Sequence, residues 1–187
     1  MEITSILNKI VELPKASTSH IVDIINEVEY PKGHRLLNAD KVERDIYFIK
    51  KGIARAYIDA ADGEVTFWFG KEGDTVVSMK SYVSNQPGYE HIELLEDCIL
   101  YQLNADALND LFAKDVYIAN WGRKFAEQEL LKTEERLIER LFGTASERYS
   151  KLIKNNPELL QRVQLSHIAS FLGITQVSLS RIRAKLK

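Results

Sequence analysis

LSHIASFLGITQVSLSRIR, residues 165–183, has the pattern of two helices joined by a tight turn. Helices that cross closely need a small residue where they touch, and Ala169 fills that role. The turn needs a residue that tolerates positive φ, and Gly173 stands there. Thr175 can cap the second helix through its hydroxyl. Ile168, Leu172, Ile174, Leu179 and Ile182 then make a shared core. Gln176, Val177, Ser178, Ser180, Arg181 and Lys185 are left on or near the outward side. These types suit DNA. Glutamine can read adenine, arginine can read guanine through two parallel hydrogen bonds, and the N-terminal part of such a helix faces base edges in the major groove. Ser178 and Ser180 can bond phosphate oxygens, while Arg183, Lys185 and Lys187 add phosphate neutralisation. The candidate DNA-binding set is therefore Thr175, Gln176, Val177, Ser178, Ser180, Arg181, Arg183 and Lys185. The plain alternative is a helical hairpin that only closes the fold.

Charge distinguishes the two. The chain has 187 residues and a net charge of −2. Residues 159–187 hold five basic and no acidic side chains, and residues 1–158 hold twenty basic and twenty-seven acidic ones. An acidic body with a basic end points to a polyanion met by that end alone.

Working back from the helix pair, residues 144–155 read as another helix, closed by Asn155-Asn156-Pro157. Before it a long helix is expected over about 115–138. Val116, Ala119, Arg123, Ala126, Leu130, Thr133, Leu137 and Leu141 recur at spacings of three and four, which alternate as far as Leu137, a heptad-like seam interrupted by Arg123 and Thr133. Such a seam fits a dimer helix whose polar positions set register. Trp121 and Phe125 fall on a neighbouring face suited to the preceding domain. Leu141-Phe142-Gly143-Thr144 is a candidate hinge.

Residues 34–103 have a different texture, with short β-like runs punctuated by glycine, at about 34–39, 45–51, 53–59, 64–70, 74–79, 89–95 and 97–103. Asp62-Gly63 is a hairpin signal between two of them. Many short strands with frequent turns imply a barrel or double sheet. Residues 3–12 and 18–28 read as two short helices, from Ile3, Ile6, Leu7 and Ile10, and from Ile21, Ile24, Ile25 and Val28.

Other function classes find little support. Apolar residues make up 45% and charged residues 28%, an ordinary globular balance, and no apolar run is long enough to span a membrane. The start lacks the pattern of a secretory signal, so a cytoplasmic location is expected. Cys98 is the only cysteine, which excludes a disulfide within one chain and an iron–sulfur cluster held by several thiolates of that chain. His20, His34, His91 and His167 lack metal-ligand spacing, and no nucleophile, base and orienting group fall at recognisable spacing, so neither a metal site nor an enzyme is expected.

Taken in order, the glycine-punctuated strands with Gly52, Asp62-Gly63 and Gly73-Asp74, the long helix, Glu147-Arg148-Tyr149 with Leu152, and the terminal helix pair resemble the Crp/Fnr family of bacterial regulators. The resemblance covers nearly the whole chain. It implies an α+β architecture: an N-terminal double-stranded β-helix, a jelly-roll-like barrel with flanking helices, over 1–114; a long dimerisation helix and hinge over 115–142; and a helix-turn-helix domain over 143–187. It implies a homodimer on double-stranded DNA, with RNA polymerase a candidate partner, and puts Gln176, Val177 and Arg181 toward bases and Ser178 toward phosphate.

Two departures matter. Members of the family that bind cyclic AMP carry Gly-Glu after the Gly-Asp turn and Arg-Ser about ten residues on, for the ribose and the phosphate. A gapless reading puts Val77-Ser78 and Gly88-Tyr89 at those positions. Both charged contacts are missing, and a phosphodiester without its cation loses one of the stronger polar contacts. No tight binding of cyclic AMP and no other cofactor is expected. Ser78, Lys80, Ser81, Tyr82 and Tyr89, with Thr133 on the long helix, are the candidate effector pocket. The chain also ends at Lys187, where the family commonly continues into a β-hairpin wing, so a full wing is not expected. The competing reading is a cyclic-nucleotide-binding-like signalling module whose last helices bind protein.

Overall fold

The structure, a computed structural model, describes residues 1–185. Lys187, expected among the phosphate-neutralising residues, lies outside the described residues.

Among the described residues two short helices, α1 (Ile3–Asn8) and α2 (Lys15–Asp23), precede eight strands: β1 (Asn26–Tyr30), β2 (Arg35–Leu37), β3 (Asp45–Lys51), β4 (Ala54–Ala60), β5 (Gly63–Gly70), β6 (Thr75–Val76), β7 (His91–Leu94) and β8 (Cys98–Asn104). A short helix, α3 (Met79–Ser84), separates β6 from β7. There follow α4 (Ala105–Lys114), α5 (Val116–Phe142), α6 (Ala145–Asn155), α7 (Leu159–Arg162), α8 (Leu165–Leu172) and α9 (Gln176–Lys185). The strands make two four-stranded sheets, ordered β1-β8-β3-β6 and β2-β7-β4-β5. The whole is a mixed α+β chain with a barrel-like β domain flanked by helices.

Strand β3 shows why the β segment reads as apolar runs. Ile46, Tyr47, Phe48 and Ile49 are all buried, so both faces of this strand are covered. Ile46 and Phe48 stand opposite Leu103 and Tyr101 of β8, and all four belong to one core cluster with Ile6, Leu7, Leu108, Ile118 and Trp121. Tyr47 and Ile49 alternate to the other face, where Ile49 is opposite Leu100. The Trp121 indole N–H donates to the Leu7 carbonyl at 3.0 Å, and its ring meets Phe48 edge-on and stacks on Phe125. The expected apolar role of Trp121 and Phe125 on this helix face is thus seen.

Gly52, between β3 and β4, has φ 118°, and a Cβ there would sit 2.2 Å from the Cys98 Sγ. Only glycine fits at that turn. Cys98 itself is buried, and its thiol is pushed up to about 11 by that burial.

Two local expectations are corrected. Residues 26–30 are strand β1 and not the end of a helix: Val28 stands opposite Leu100, and the five residues pair antiparallel with β8. Tertiary pairing here overrides the helical spacing of Ile24, Ile25 and Val28. The β6 strand stops at Val76, and Met79 opens α3 instead of ending a strand.

The chain falls into two compact units, Met1–Ala56 with Phe69–Leu130, and Tyr57–Trp68 with Leu131–Lys187. The second contains the β4–β5 hairpin end as well as the last helices. Its core comprises Tyr149, Leu152, Leu159, Val163, Ile168, Ala169, Leu172 and Leu179. Helix α6 begins with a capping box in which the Thr144 side chain accepts the Glu147 amide and the Glu147 carboxylate accepts the Thr144 amide. Those bonds hold the Glu147 carboxyl below the usual range.

Candidate nucleic-acid interface

Helix α8 ends at Gly173, whose φ of 67° is left-handed, and the amides of Gly173 and Ile174 donate to the carbonyls of Ser170 and Ala169. This is a Schellman-like stop, and it needs no side chain. The next helix then starts on Thr175, whose Oγ1 accepts the Ser178 amide at 3.2 Å. Ile168, Ala169, Leu172 and Leu179 are buried, while Ile174 and Ile182 are half-buried. Helices α8 and α9 therefore form one packed piece.

The outward residues of α9 divide into two kinds. Gln176, Val177, Ser180, Arg181 and Lys185 are exposed, and Ser178 and Arg183 are half-buried. Ser178 shares a 3.0 Å hydrogen bond with Thr175, and the Ser180 hydroxyl donates to the Gln176 carbonyl at 3.0 Å. In this conformation Thr175, Ser178 and Ser180 hold the start of the helix, and Gln176, Val177 and Arg181 present free length to solvent. Val177 is 62% exposed, a large apolar residue with nothing over it.

Two contacts around this helix pair had no counterpart in the sequence reading. The Arg148 guanidinium donates through Nη1 to the Gly143 carbonyl at 2.6 Å and through Nη2 to the Leu172 carbonyl at 2.9 Å. It joins the residue after α5 to the last residue of α8. The Ser170 hydroxyl accepts the Thr66 amide at 2.9 Å and donates to the Glu64 carbonyl at 3.0 Å.

The long helix carries a broad apolar stripe. Every large apolar residue of the expected seam in its second half is exposed, with Leu130 at 71% and Leu141 at 66%. A second row, Leu131, Ile138 and Phe142, runs beside it, and Phe142 is 82% exposed. Arg123 of the seam is paired with Glu127, and Thr133 accepts a hydrogen bond from Arg136 at 3.2 Å.

The residues proposed for an effector are spread out. Ser81 is buried, accepts the Glu43 amide and donates to the Gln86 carbonyl at 3.0 Å, so it ties down loops. Tyr82 hydrogen-bonds Asn109, and Lys80 and Tyr89 are exposed. Thr133 lies in the second unit. Ser78 is buried with an unpartnered Oγ. A Cβ at Gly88 would meet that Oγ at 2.6 Å and both Glu90 carboxylate oxygens at 3.4 Å. Glu90 is itself buried, and its Oε2 accepts the Tyr89 amide at 3.1 Å. Among the described residues no group of three His, Cys, Asp or Glu side chains could hold a metal ion, and no helix is long and apolar enough to cross a membrane.

Residues 27–115 match the model of the cyclic nucleotide-binding domain. No curated protein matches the chain in sequence. Among solved structures, FixK2 from Bradyrhizobium japonicum is 21% identical with a TM-score of 0.70, covering 87% of this chain and 84% of that one. A transcriptional regulator of the Crp/Fnr family from Eubacterium rectale is 16% identical with a TM-score of 0.71, covering 91% and 82%. The catabolite activator protein of Thermus thermophilus is 17% identical with a TM-score of 0.60, covering 97% and 86%. At these identities the shared property is the fold.

Proposed function

From a chain whose residues 27–115 match the cyclic nucleotide-binding domain and whose fold is similar to that of Crp/Fnr-type regulators, we propose a homodimeric, sequence-specific DNA-binding transcription regulator that acts in the cytoplasm. The observation that carries this reading is α9. It starts on a capped turn, packs on α8 through Leu179, and presents Gln176, Val177 and Arg181 from a stretch without any acidic residue after Glu158. Read this way, α8 and α9 are a helix-turn-helix with α9 as its recognition helix. Two such helices set about one DNA turn apart, roughly 34 Å, would read a near-palindrome. Residues 1–114 would then sense, 115–142 pair two chains, and 143–187 bind DNA.

Cyclic AMP is not the proposed effector. The position that resemblance assigns to a phosphate-binding arginine is Gly88, and the space its side chain would enter is taken by the Ser78 hydroxyl and the Glu90 carboxylate. A carboxylate in that place repels a phosphodiester where a cation would attract it. Selection of the protein against a pool of random duplexes, with and without cyclic AMP, tests both parts. The expected result is a near-palindrome enriched without nucleotide. Strict dependence on cyclic AMP would overturn the effector reading, and no enrichment under either condition would count against DNA recognition and favour the protein-binding module.

Within that reading Arg181→Ala is expected to cost about 1–3 kcal/mol of specific binding and to relax preference at one base pair per half-site, measured by titration against operator variants. Lys185→Ala should weaken all duplexes alike and flatten the salt dependence. An Arg181→Ala protein with the native preference at every position would remove that residue from base reading.

A further inference from the structure

Ser170 stands in the middle of the second half of α8, where a serine hydroxyl ordinarily bonds back to the carbonyl one turn earlier. Here it does something else. Its Oγ accepts the Thr66 amide and donates to the Glu64 carbonyl, at 2.9 and 3.0 Å. Residues i and i+2 of a strand direct a carbonyl and an amide to the same edge, and β5 is the edge strand of its sheet. One hydroxyl thus bridges the gap between two main-chain groups as a neighbouring strand would. Thr66 is fully buried, so this amide bond is shielded from water. The partners lie more than a hundred residues from Ser170 in sequence and belong to the same compact unit.

We propose that Ser170 is a latch that fixes α8, and with it α9, on the β4–β5 hairpin, so that the hairpin sets the pose in which α9 is presented. The mechanical step from α8 to α9 is short. The turn amides of Gly173 and Ile174 are bonded to Ser170 and Ala169, the former being the latch residue itself, and Leu179 is buried with Ile168 and Leu172. A shift of Ser170 along the strand edge carries the whole helix pair with it. Movement of the hairpin is the signal such a device would transmit. Its effect on operator affinity rests on the DNA-binding reading above, whereas the latch itself does not.

The test uses the full chain with nitroxide labels at Asp62→Cys in the hairpin turn and Ala184→Cys on α9, both exposed sites. Cys98 is buried and stays unlabelled. With the labelled chain diluted into an excess of unlabelled chain, so that each particle carries one labelled copy, electron-spin distance measurement is expected to give one narrow distribution for the parent, a broadened one for Ser170→Ala, and a narrow one again for Ser170→Thr, which keeps the hydroxyl. Unlabelled Ser170→Ala should bind the selected duplex at least about threefold more weakly, consistent with the loss of one or two modest hydrogen bonds, with Ser170→Thr close to native. A Ser170→Ala distribution as narrow as the parent overturns the latch. A broadened distribution with unchanged operator affinity overturns its role in presenting α9. If the native chain selects no duplex, the DNA reading fails by that result alone, and the distance distributions still decide the latch.

Discussion

Leu137→Glu is expected to turn the proposed dimer into a monomer at micromolar concentration. In the free chain Leu130, Leu131, Leu137, Ile138, Leu141 and Phe142 are all more than half exposed along the last half of α5. Six large apolar side chains on one helix within thirteen residues are far more than a soluble surface ordinarily leaves uncovered. In the proposed dimer a second copy of the helix would cover both rows at once, and each side chain removed from water would contribute about 1.5–3 kcal/mol. Part of that total is offset by the lost freedom of two chains, but enough remains for stable pairing. Leu137 lies in the interior of the stripe. Glutamate there would place two like charges in the desolvated centre of a symmetric contact. The cost is at least about 3 kcal/mol, more than a hundredfold in the dimer constant. Sedimentation should find one chain, 21.4 kDa, where the parent sediments as two. The fold of each chain should hold, because the substituted side chain is exposed in the monomer. Affinity for a two-half-site duplex should fall steeply while binding to a single half-site stays as weak as before. A variant that remains dimeric at the same concentration would remove α5 as the pairing element.

The exposed apolar stripe is partly legible in sequence, because its signal is side-chain type at a repeating interval. Leu130, Leu137 and Leu141 lie on one heptad-like track, whereas Leu131, Ile138 and Phe142 lie beside it, and a single track does not show the width of a stripe. The α8–α9 pair was legible for the same kind of reason. Ala169, Gly173 and Thr175 each answer a local requirement, and the structure meets each one locally. Strand β1 was not legible. Glu27-Val28-Glu29 alternates as a strand does, but Ile24, Ile25 and Val28 also satisfy a helix, and only the antiparallel ladder with β8, some seventy residues later, separates the two. Ser170 and Arg148 were not legible as contacts for a further reason. Their partners are main-chain carbonyls and an amide, which every residue possesses, so nothing in residue type marks the other end. Gly88 gave the opposite case: a glycine where the resemblance calls for arginine is visible in sequence, while the Ser78 hydroxyl and Glu90 carboxyl that fill the space beside it emerge only from the packing.

Arg148→Met is expected to lower the stability of the second unit by about 2–4 kcal/mol and to lower operator affinity as well. Its guanidinium joins two helix ends, the Gly143 carbonyl just beyond α5 and the Leu172 carbonyl closing α8. Both acceptors are at C-termini, where carbonyls lack intrahelical partners and cations are favoured. A hydrogen bond from a charged donor contributes about 1.5–3 kcal/mol, and the two share one side chain, so their sum is an upper bound. Methionine keeps the apolar stem and removes both donors, which isolates the clamp from simple loss of packing. Lysine should recover only part of the loss, because one ammonium cannot reproduce a planar fork aimed at two separate carbonyls. The surroundings show how much depends on this joint. Lys151 pairs with Glu139 across the same α5–α6 corner, and a Cβ added at Gly173 in the α8–α9 turn would meet the Arg140 guanidinium at 3.6 Å. The end of α5, Gly143 and the end of α8 are therefore tied at one place, and in the proposed dimer this joint would couple α8 and α9 to α5. Urea unfolding followed by amide exchange in residues 145–185 measures the stability term. Titration against full and half operator duplexes measures the other. The full site should lose more than the half site, since a loosened joint leaves each α9 able to read its own half but no longer holds two of them at the spacing of one turn. Equal losses on both would show that Arg148 supports the helix pair alone and does not transmit the geometry of α5 to it.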